Sequence, residues 1–213
     1  MNRFVVIVDD TGSLPAEAED LLGAADVDAL AFRPERHVRW TDPTGRLHYA
    51  GWERGVDPGA DTDHRGLVAW AGTPRPASGV WLADRRLVDL VRDELDRPGR
   101  SPGSPFADAH AVVRLRPDGT GEMATDPVGL HPLYTAEIDG RTVVGDRADL
   151  VAAVWSRLAG RPATKSLTGG AWMAFLGYHV GDVTGFDEVT VLPHDTHLEI
   201  GNGRVDAVAA PTV

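Results

Sequence analysis

Residues able to act as nucleophiles or metal ligands are unevenly available in this chain. It contains no cysteine, which removes thiolate catalysis, thiolate metal sites and disulfides, and leaves the redox compartment unreadable. Eight histidines are present, and two of them, His194 and His197, flank Asp195 in "PHDTHLEI". That separation can chelate a metal on a helix. Here Pro193 and the alternating pattern of "THLEI" turn the two rings to different faces of an extended segment, so a solvated turn is expected and no metal site. "DDTGS" (Asp9 to Ser13) follows an apolar run. It could offer Asp9 as a phosphoryl-transfer carboxylate, or Thr11 or Ser13 as a hydroxyl nucleophile if cleavage exposed it. No lysine-bearing parallel-sheet pattern follows, and such cleavage would discard the first strand, so a plain turn is expected. A third segment, "TDPVGLHPLY" (Thr125 to Tyr134), places two prolines and a glycine within ten residues. Pro127 and Pro132 fix φ and remove backbone donors, Gly129 can take φ > 0, and Asp126 can accept bonds from the amides that follow it. The segment is a rigid, shaped loop: either a structural corner or the rim of a site.

The elements that would hold these residues alternate between strands and helices. "FVVIV" (Phe4 to Val8) reads as a buried strand, and "PAEAEDLLGAA" (Pro15 to Ala25) as a short helix. "HVRW" and "RLHYAGW" are extended pieces joined by the turn "TDPTG". "GADTDH" (Gly59 to His64) reads as a polar loop and "RGLVAWAG" (Arg65 to Gly72) as a strand. "DRRLVDLVRDEL" (Asp84 to Leu95) has helical spacing, with Asp84 at the N-cap, and "DRPGRSPGSP" (Asp96 to Pro105) is a loop. Beyond it the strand pattern is dense: "AHAVVRLR", "TGEMAT", "LYTAEI" and "RTVVGD", with Asp139-Gly140 as a hairpin turn. "RADLVAAVWSRLAG" is an amphipathic helix stopped by glycine, "GGAWMAFLGYHVGD" a second helix with its exit, and "THLEI" and "RVDAV" a last hairpin around "GNG". Several strands are apolar on both faces, so their sheets must be covered on both sides. The reading is an α+β fold with two packed, mainly antiparallel sheets and helices outside.

Composition sets further bounds. With 213 residues, 42% of them hydrophobic, the chain suffices for one large core, and residues 1–213 are read as a single domain. A formal charge of −11 argues against nucleic acid or an anionic membrane as partner. No stretch approaches the length of a membrane helix, and "MNRFVVIVDD" lacks the features of a secretory leader, which points to the cytoplasm. Six tryptophans (Trp40, Trp52, Trp70, Trp81, Trp155 and Trp172) are expected mostly in the core, with exposed ones available to an interface.

The segment "ATDPVGLHPLYTAEIDGRTVVGDRADLVAA" (Ala124 to Ala153) resembles one in the asparagine synthetase family, where an Asp-x-x-Gly-x-x-Pro-Leu-Tyr loop joins two strands of the glutamine amidotransferase domain. "GDVTGFDEVTVLPHDTHLEI" is similar to the family's run into a Leu-Pro turn and last strand. "MNRFVVIVDDTG" matches its opening, "FRPE" (Phe32 to Glu35) falls at its Arg-Gly-Pro-Asp signature, and "AWAG" (Ala69 to Gly72) at a strand ending in Asn-Gly. The resemblance implies an N-terminal-nucleophile (Ntn) hydrolase fold, a four-layer αββα sandwich. In it Asp126, Gly129, Pro132 and Tyr134 form the structural loop, and His131 is read as a surface or interface residue.

The resemblance also implies what is missing. The family's glutaminase uses an N-terminal cysteine with a free α-amino group. The matching position here is Asn2, Arg3 stands where a glycine follows, and the Asn-Gly that holds the oxyanion reads Ala71-Gly72. Asn2, Arg3, Ala71 and Gly72 therefore mark a disused pocket, and no catalytic residue is expected. β-Lactam synthetases and lasso peptide cyclases resemble the same family, and they form amides without glutamine-derived ammonia. The implied role is a non-catalytic amidotransferase-like domain of an ATP-dependent amide-forming synthetase, acting on a peptide or amino-acid derivative. The family's pyrophosphate loop has no counterpart, the nearest string being "LTGGAW" (Leu167 to Trp172). ATP and Mg are accordingly expected only in a partner synthetase domain, with no cofactor in this chain. The alternative is a free-standing binding or regulatory protein that puts the old glutamine pocket to another use.

Overall fold

The protein is described by a computed structural model covering residues 2–24, 33–55, 59–76, 87–97, 106–126, 128–176, 181–194 and 196–209. In chain order the elements are β1 (Asn2–Asp9), α1 (Ala16–Gly23), β2 (Arg36–Thr41), β3 (Leu47–Glu53), β4 (Ala60–Asp63), β5 (Gly66–Gly72), β6 (Arg75–Pro76), α2 (Leu87–Leu95) and β7 (Phe106–Ala107). They continue with β8 (His110–Leu115), β9 (Gly121–Thr125), β10 (Tyr134–Ile138), β11 (Arg141–Gly145), α3 (Ala148–Ala159), α4 (Leu167–Leu176), β12 (Thr190–Val191), β13 (Thr196–Gly201) and β14 (Arg204–Ala209). One six-stranded sheet runs β12-β10-β11-β1-β3-β2 and a second runs β14-β13-β9-β8-β5-β4, with β6 and β7 as a separate short pair. Among the described residues the strand pairings are all antiparallel.

The two-sided apolar strands explain the layering. On β1, Phe4, Val6 and Val8 face the second sheet and join Tyr49, Ala69, Val113 and Leu198 in the inter-sheet core. Val5 and Ile7 point the other way and pack with Trp52, Leu150 and Val154 under α1 and α3. The second sheet repeats this: Val68, Trp70 and Val112 on its outer face pack beneath Val88, Val91 and Leu95 of α2. Helix, sheet, sheet and helix form the αββα sandwich expected from the sequence. The two-residue hairpin between Ile138 and Arg141 has Asp139 at φ 45° and Gly140 at φ 75°, and Asn202-Gly203 repeats it at φ 54° and 73°, the mirror-image turns that fit strand twist.

Two readings of the sequence change. "GADTDH" is not a loop, because Ala60–Asp63 pairs with β5 as edge strand β4. Its polar alternation suits an edge, where one face and one row of backbone groups meet water. The second apolar helix begins earlier than read, at Leu167, and its side chains remain largely exposed, with Leu167 at 91% and Phe175 at 84%. Trp52, Trp70 and Trp155 are core residues and Trp172 is exposed, while Trp81, Asp84, Phe32 and the stretch 98–105 lie outside the described residues.

Candidate functional site

The residues singled out near the amino terminus meet where β1 begins. Asn2 is the direct ladder partner of Glu53 at the end of β3. Both lie in the register that faces the second sheet. There a β-carbon added at Gly59 would come within 2.1 Å of the Asn2 Nδ2, so only glycine permits this contact. The Gly59 carbonyl accepts from the Trp70 amide at 2.7 Å, which brings Ala71, the next residue of β5, to the same end of the sandwich. Ala71 is fully buried and Gly72 takes φ 78°. Asn2 and Ala71, which the sequence resemblance singled out, therefore lie at the same end of the sandwich and present a carboxamide and a methyl group.

Two acids that the sequence reading did not single out anchor this end. Glu53 is 3% exposed, faces the Gly59 and Ala60 amides, and pairs with Arg36 at 3.3 Å. Burial pushes its carboxyl above the ordinary value; the opposing pull of Arg36, the two amides and the positive charge of the chain's own amino terminus does not cancel it. Asp146, fully buried at its side chain, accepts from the Arg3 guanidinium at 2.8 Å and from the Phe4 amide at 2.9 Å. Tyr49 is buried between the sheets, its ring stacked on Phe4, and burial together with the fields of Glu53 and Asp146 holds its hydroxyl well above the usual phenol range. Asn2 Oδ1, Arg3 Nε, Glu53 Oε1 and His131 Nε2 are buried without hydrogen-bond partners.

The shaped loop rims this cluster. Asp126 accepts from the amides of Val128 (3.1 Å), Leu130 (3.0 Å) and His131 (2.8 Å). Burial alone would raise its carboxyl, yet these three bonds hold it below the ordinary value. Gly129 sits at φ 70°, and an added β-carbon would lie 2.7 Å from the β-carbon of His194. Beyond Pro132, Leu133 is buried and its carbonyl accepts from the Leu192 amide, which fixes the entry of Tyr134 into β10. Burial and the field of Asp146 raise the Tyr134 hydroxyl as well. His131 is half-buried at the rim: its side chain is 17% exposed, with Nε2 3.6 Å from Asp146. The loop is both corner and rim, because the same backbone bonds that shape it carry His131 over Asp146.

The remaining candidates are elsewhere. Asp9 accepts from the Thr11 amide and hydroxyl and from the Ser13 amide, so "DDTGS" is an Asp-capped turn held further by Arg141. His197 is buried with Nε2 3.3 Å from Glu199, His194 packs on the rim loop, and Asp195 lies outside the described residues. Among the described residues no group of three metal-ligating side chains comes together. Signals for the missed residues were present. "GWERG" ends an apolar strand in a glutamate, and "VVGD" ends one in an aspartate; each carboxylate is carried into the interior by a strand buried up to its last residue.

Comparison with known proteins bears on fold and not on chemistry. No family model matches the sequence. Among curated proteins, a peroxynitrite isomerase of Frankia casuarinae is 35% identical over 115 residues, covering 51% of this chain and 56% of that protein. One of Frankia alni is 34% identical over 105 residues, covering 47% and 65%. The chain thus spans between about half and two thirds of the curated relatives it matches. Among solved structures, glutamine phosphoribosylpyrophosphate amidotransferase from B. subtilis, complexed with ADP and GMP, superposes with a TM-score of 0.54 at 12% identity, over 98% of this chain and 49% of that one. A structure described as the allosteric regulatory enzyme of purine biosynthesis gives the same TM-score at 11% identity and the same coverage. The architecture is therefore of the Ntn-hydrolase type found in class II glutamine amidotransferases.

Proposed function

We propose that this chain is a non-catalytic amidotransferase-like module that works with an asparagine synthetase-like, ATP-dependent amide-forming synthetase. The observation that carries the reading is Asn2. It occupies the start of β1 between the sheets, packed on Gly59 and opposite Glu53, so the position is built into the fold while its carboxamide nitrogen, delocalised into the carbonyl, is no nucleophile. Arg3 is tied to Asp146 instead of leaving an open approach, and Ala71 supplies no side-chain donor for an oxyanion. ATP and Mg would belong to the partner, and the acceptor substrate would be a peptide or amino-acid derivative. Two exposed apolar surfaces support a partner: the face of α4, with Leu167, Met173, Phe175 and Leu176, and the tips of the rim loop at Val128 and Leu130. No helix among the described residues is long and apolar enough to cross a membrane, and a cytoplasmic location fits this reading.

The test is ammonia release from glutamine by the purified chain. None above a buffer blank is expected, and Asn2→Cys is expected to remain inactive because Arg3 and Ala71 are unchanged. Turnover abolished by mutating Asn2 would sink the reading. The second reading, a free-standing binding protein, is favoured by the unpartnered buried polar atoms around Asn2 and Glu53. The activity named for the Frankia relatives is separable by following peroxynitrite decay: acceleration by catalytic amounts of this chain would replace both readings.

A further inference from the structure

We infer that the start of β1 is a binding site for a primary ammonium group, seated between the Asn2 Oδ1 and the Glu53 Oε1; this rests on the reading that this end of the sandwich binds and does not cleave. Asn2 and Glu53 are direct partners across an antiparallel ladder, a relation that sets their β-carbons about 4.5–5.5 Å apart. Both side chains meet the second sheet at one point, Asn2 in contact with Gly59 and Glu53 facing the Gly59 and Ala60 amides. Both oxygens are withdrawn from solvent, and neither has a hydrogen-bond partner. Arg36 does not answer them. One of its terminal nitrogens pairs with the other oxygen of Glu53 at 3.3 Å, and the other donates to the Ala60 carbonyl at 3.3 Å.

The ligand class follows from the atoms left over. Two orphaned acceptors call for donors, so an apolar group would leave them unmade and an anion would face the charge of Glu53. Glu53 and Asp146 both raise the Tyr49 hydroxyl and only Arg36 opposes them, so the net field on this floor is negative and favours a cation over a neutral donor. An ammonium group offers three N–H donors, matching the Asn2 oxygen, the Glu53 oxygen and the Tyr49 hydroxyl oxygen. The acid raised by burial is the one such a cation would neutralise. Asn2 is partly exposed and Arg36 is exposed, so the site borders solvent.

The test is an amide-shift titration of the ¹⁵N-labelled chain with glycinamide, with N-acetylglycinamide as the control lacking the ammonium. Glycinamide is expected to shift the Glu53, Gly59 and Ala60 amides saturably while the acetylated compound does not. Glu53→Gln is expected to raise Kd at least tenfold. Asn2→Leu, at a partly exposed position, is expected to do the same if Glu53→Gln folds poorly. Triglycinamide separates the two sources of the group: tighter binding than glycinamide assigns a peptide N-terminus, equal or weaker binding a small free amine. No saturable shift, an equal response to N-acetylglycinamide, or unchanged binding in both variants would overturn the site. Ammonia release measured on the same sample reports separately on the non-catalytic reading.

Discussion

Aspartates that close turns recur along this chain, and Asp126 shows what one carboxylate in such a place contributes. Its three amide bonds hold it below its ordinary value of 3.8. A group depressed in the folded state contributes stability at pH values above its unfolded pKa, and that contribution is lost as the pH falls through the folded value. Asp126→Ala is expected to cost about 1–3 kcal/mol at neutral pH by removing three hydrogen bonds to partly buried loop amides. Denaturant melts at pH 7 and pH 3 would show this, the difference from wild type shrinking at the lower pH. Glu53 has the opposite sign. Raised above 4.5 by burial, it favours the fold at low pH, and this is lost as the pH rises through its raised value. Glu53→Gln is expected to flatten that part of the stability–pH curve, and an unchanged curve would show that its charge is not costly here. At Gly129, φ 70° and the nearby His194 both oppose a side chain, so Gly129→Val is expected to cost roughly 1–3 kcal/mol. A melting temperature equal to wild type would remove the corner role.

Strand β1 and helix α4 stand at opposite ends of the scale of elements. β1 is buried on both faces from Phe4 to Asp9, so each apolar side chain serves one of two cores. Ile7→Ala is expected to cost about 2–5 kcal/mol, read as a lowered denaturation midpoint with an unchanged slope. Helix α4 is nearly as apolar in composition, yet it has no amphipathic stripe and only Gly169 is buried. Phe175→Lys is therefore expected to change stability by less than about 0.5 kcal/mol. A larger loss would mean that α4 packs into the fold and is not a free face. Loss of synthetase binding in the same variant, without loss of stability, would identify α4 as the docking element.

For the molecule as a whole, the sandwich separates two kinds of cluster. One end gathers Asn2, Glu53, Tyr49 and Asp146 around the start of β1. The far end of β1 runs into the Asp9 turn, whose carboxylate accepts from the Thr11 amide and hydroxyl and from the Ser13 amide. Among the described residues, buried side-chain atoms without partners are concentrated at the first end, at Asn2, Arg3, Glu53 and His131, with Arg141 Nε beside the Asp9 turn as one at the second.

What the sequence determined by itself is local. Two-sided apolar runs specified the buried strands of β1, β3 and β5, and Asp139-Gly140 and Asn202-Gly203 specified hairpins, because strand burial and turn conformation depend on residues a few positions apart. That Asn2 is a carboxamide and Ala71 a methyl group was also legible, since these are properties of the residues wherever the chain carries them. The polar identity of Ala60–Asp63 misled, because an edge strand and a loop share a composition and differ only in whether a neighbour pairs with them. Only the tertiary structure decided that Glu53 faces Asn2, that Asp146 holds Arg3 from 143 positions away in sequence, and that His131 comes within 3.6 Å of Asp146. Those contacts are set by ladder register and by the facing of two sheets, where a shift of one residue would turn each side chain to the other side, and no short-range pattern encodes that register.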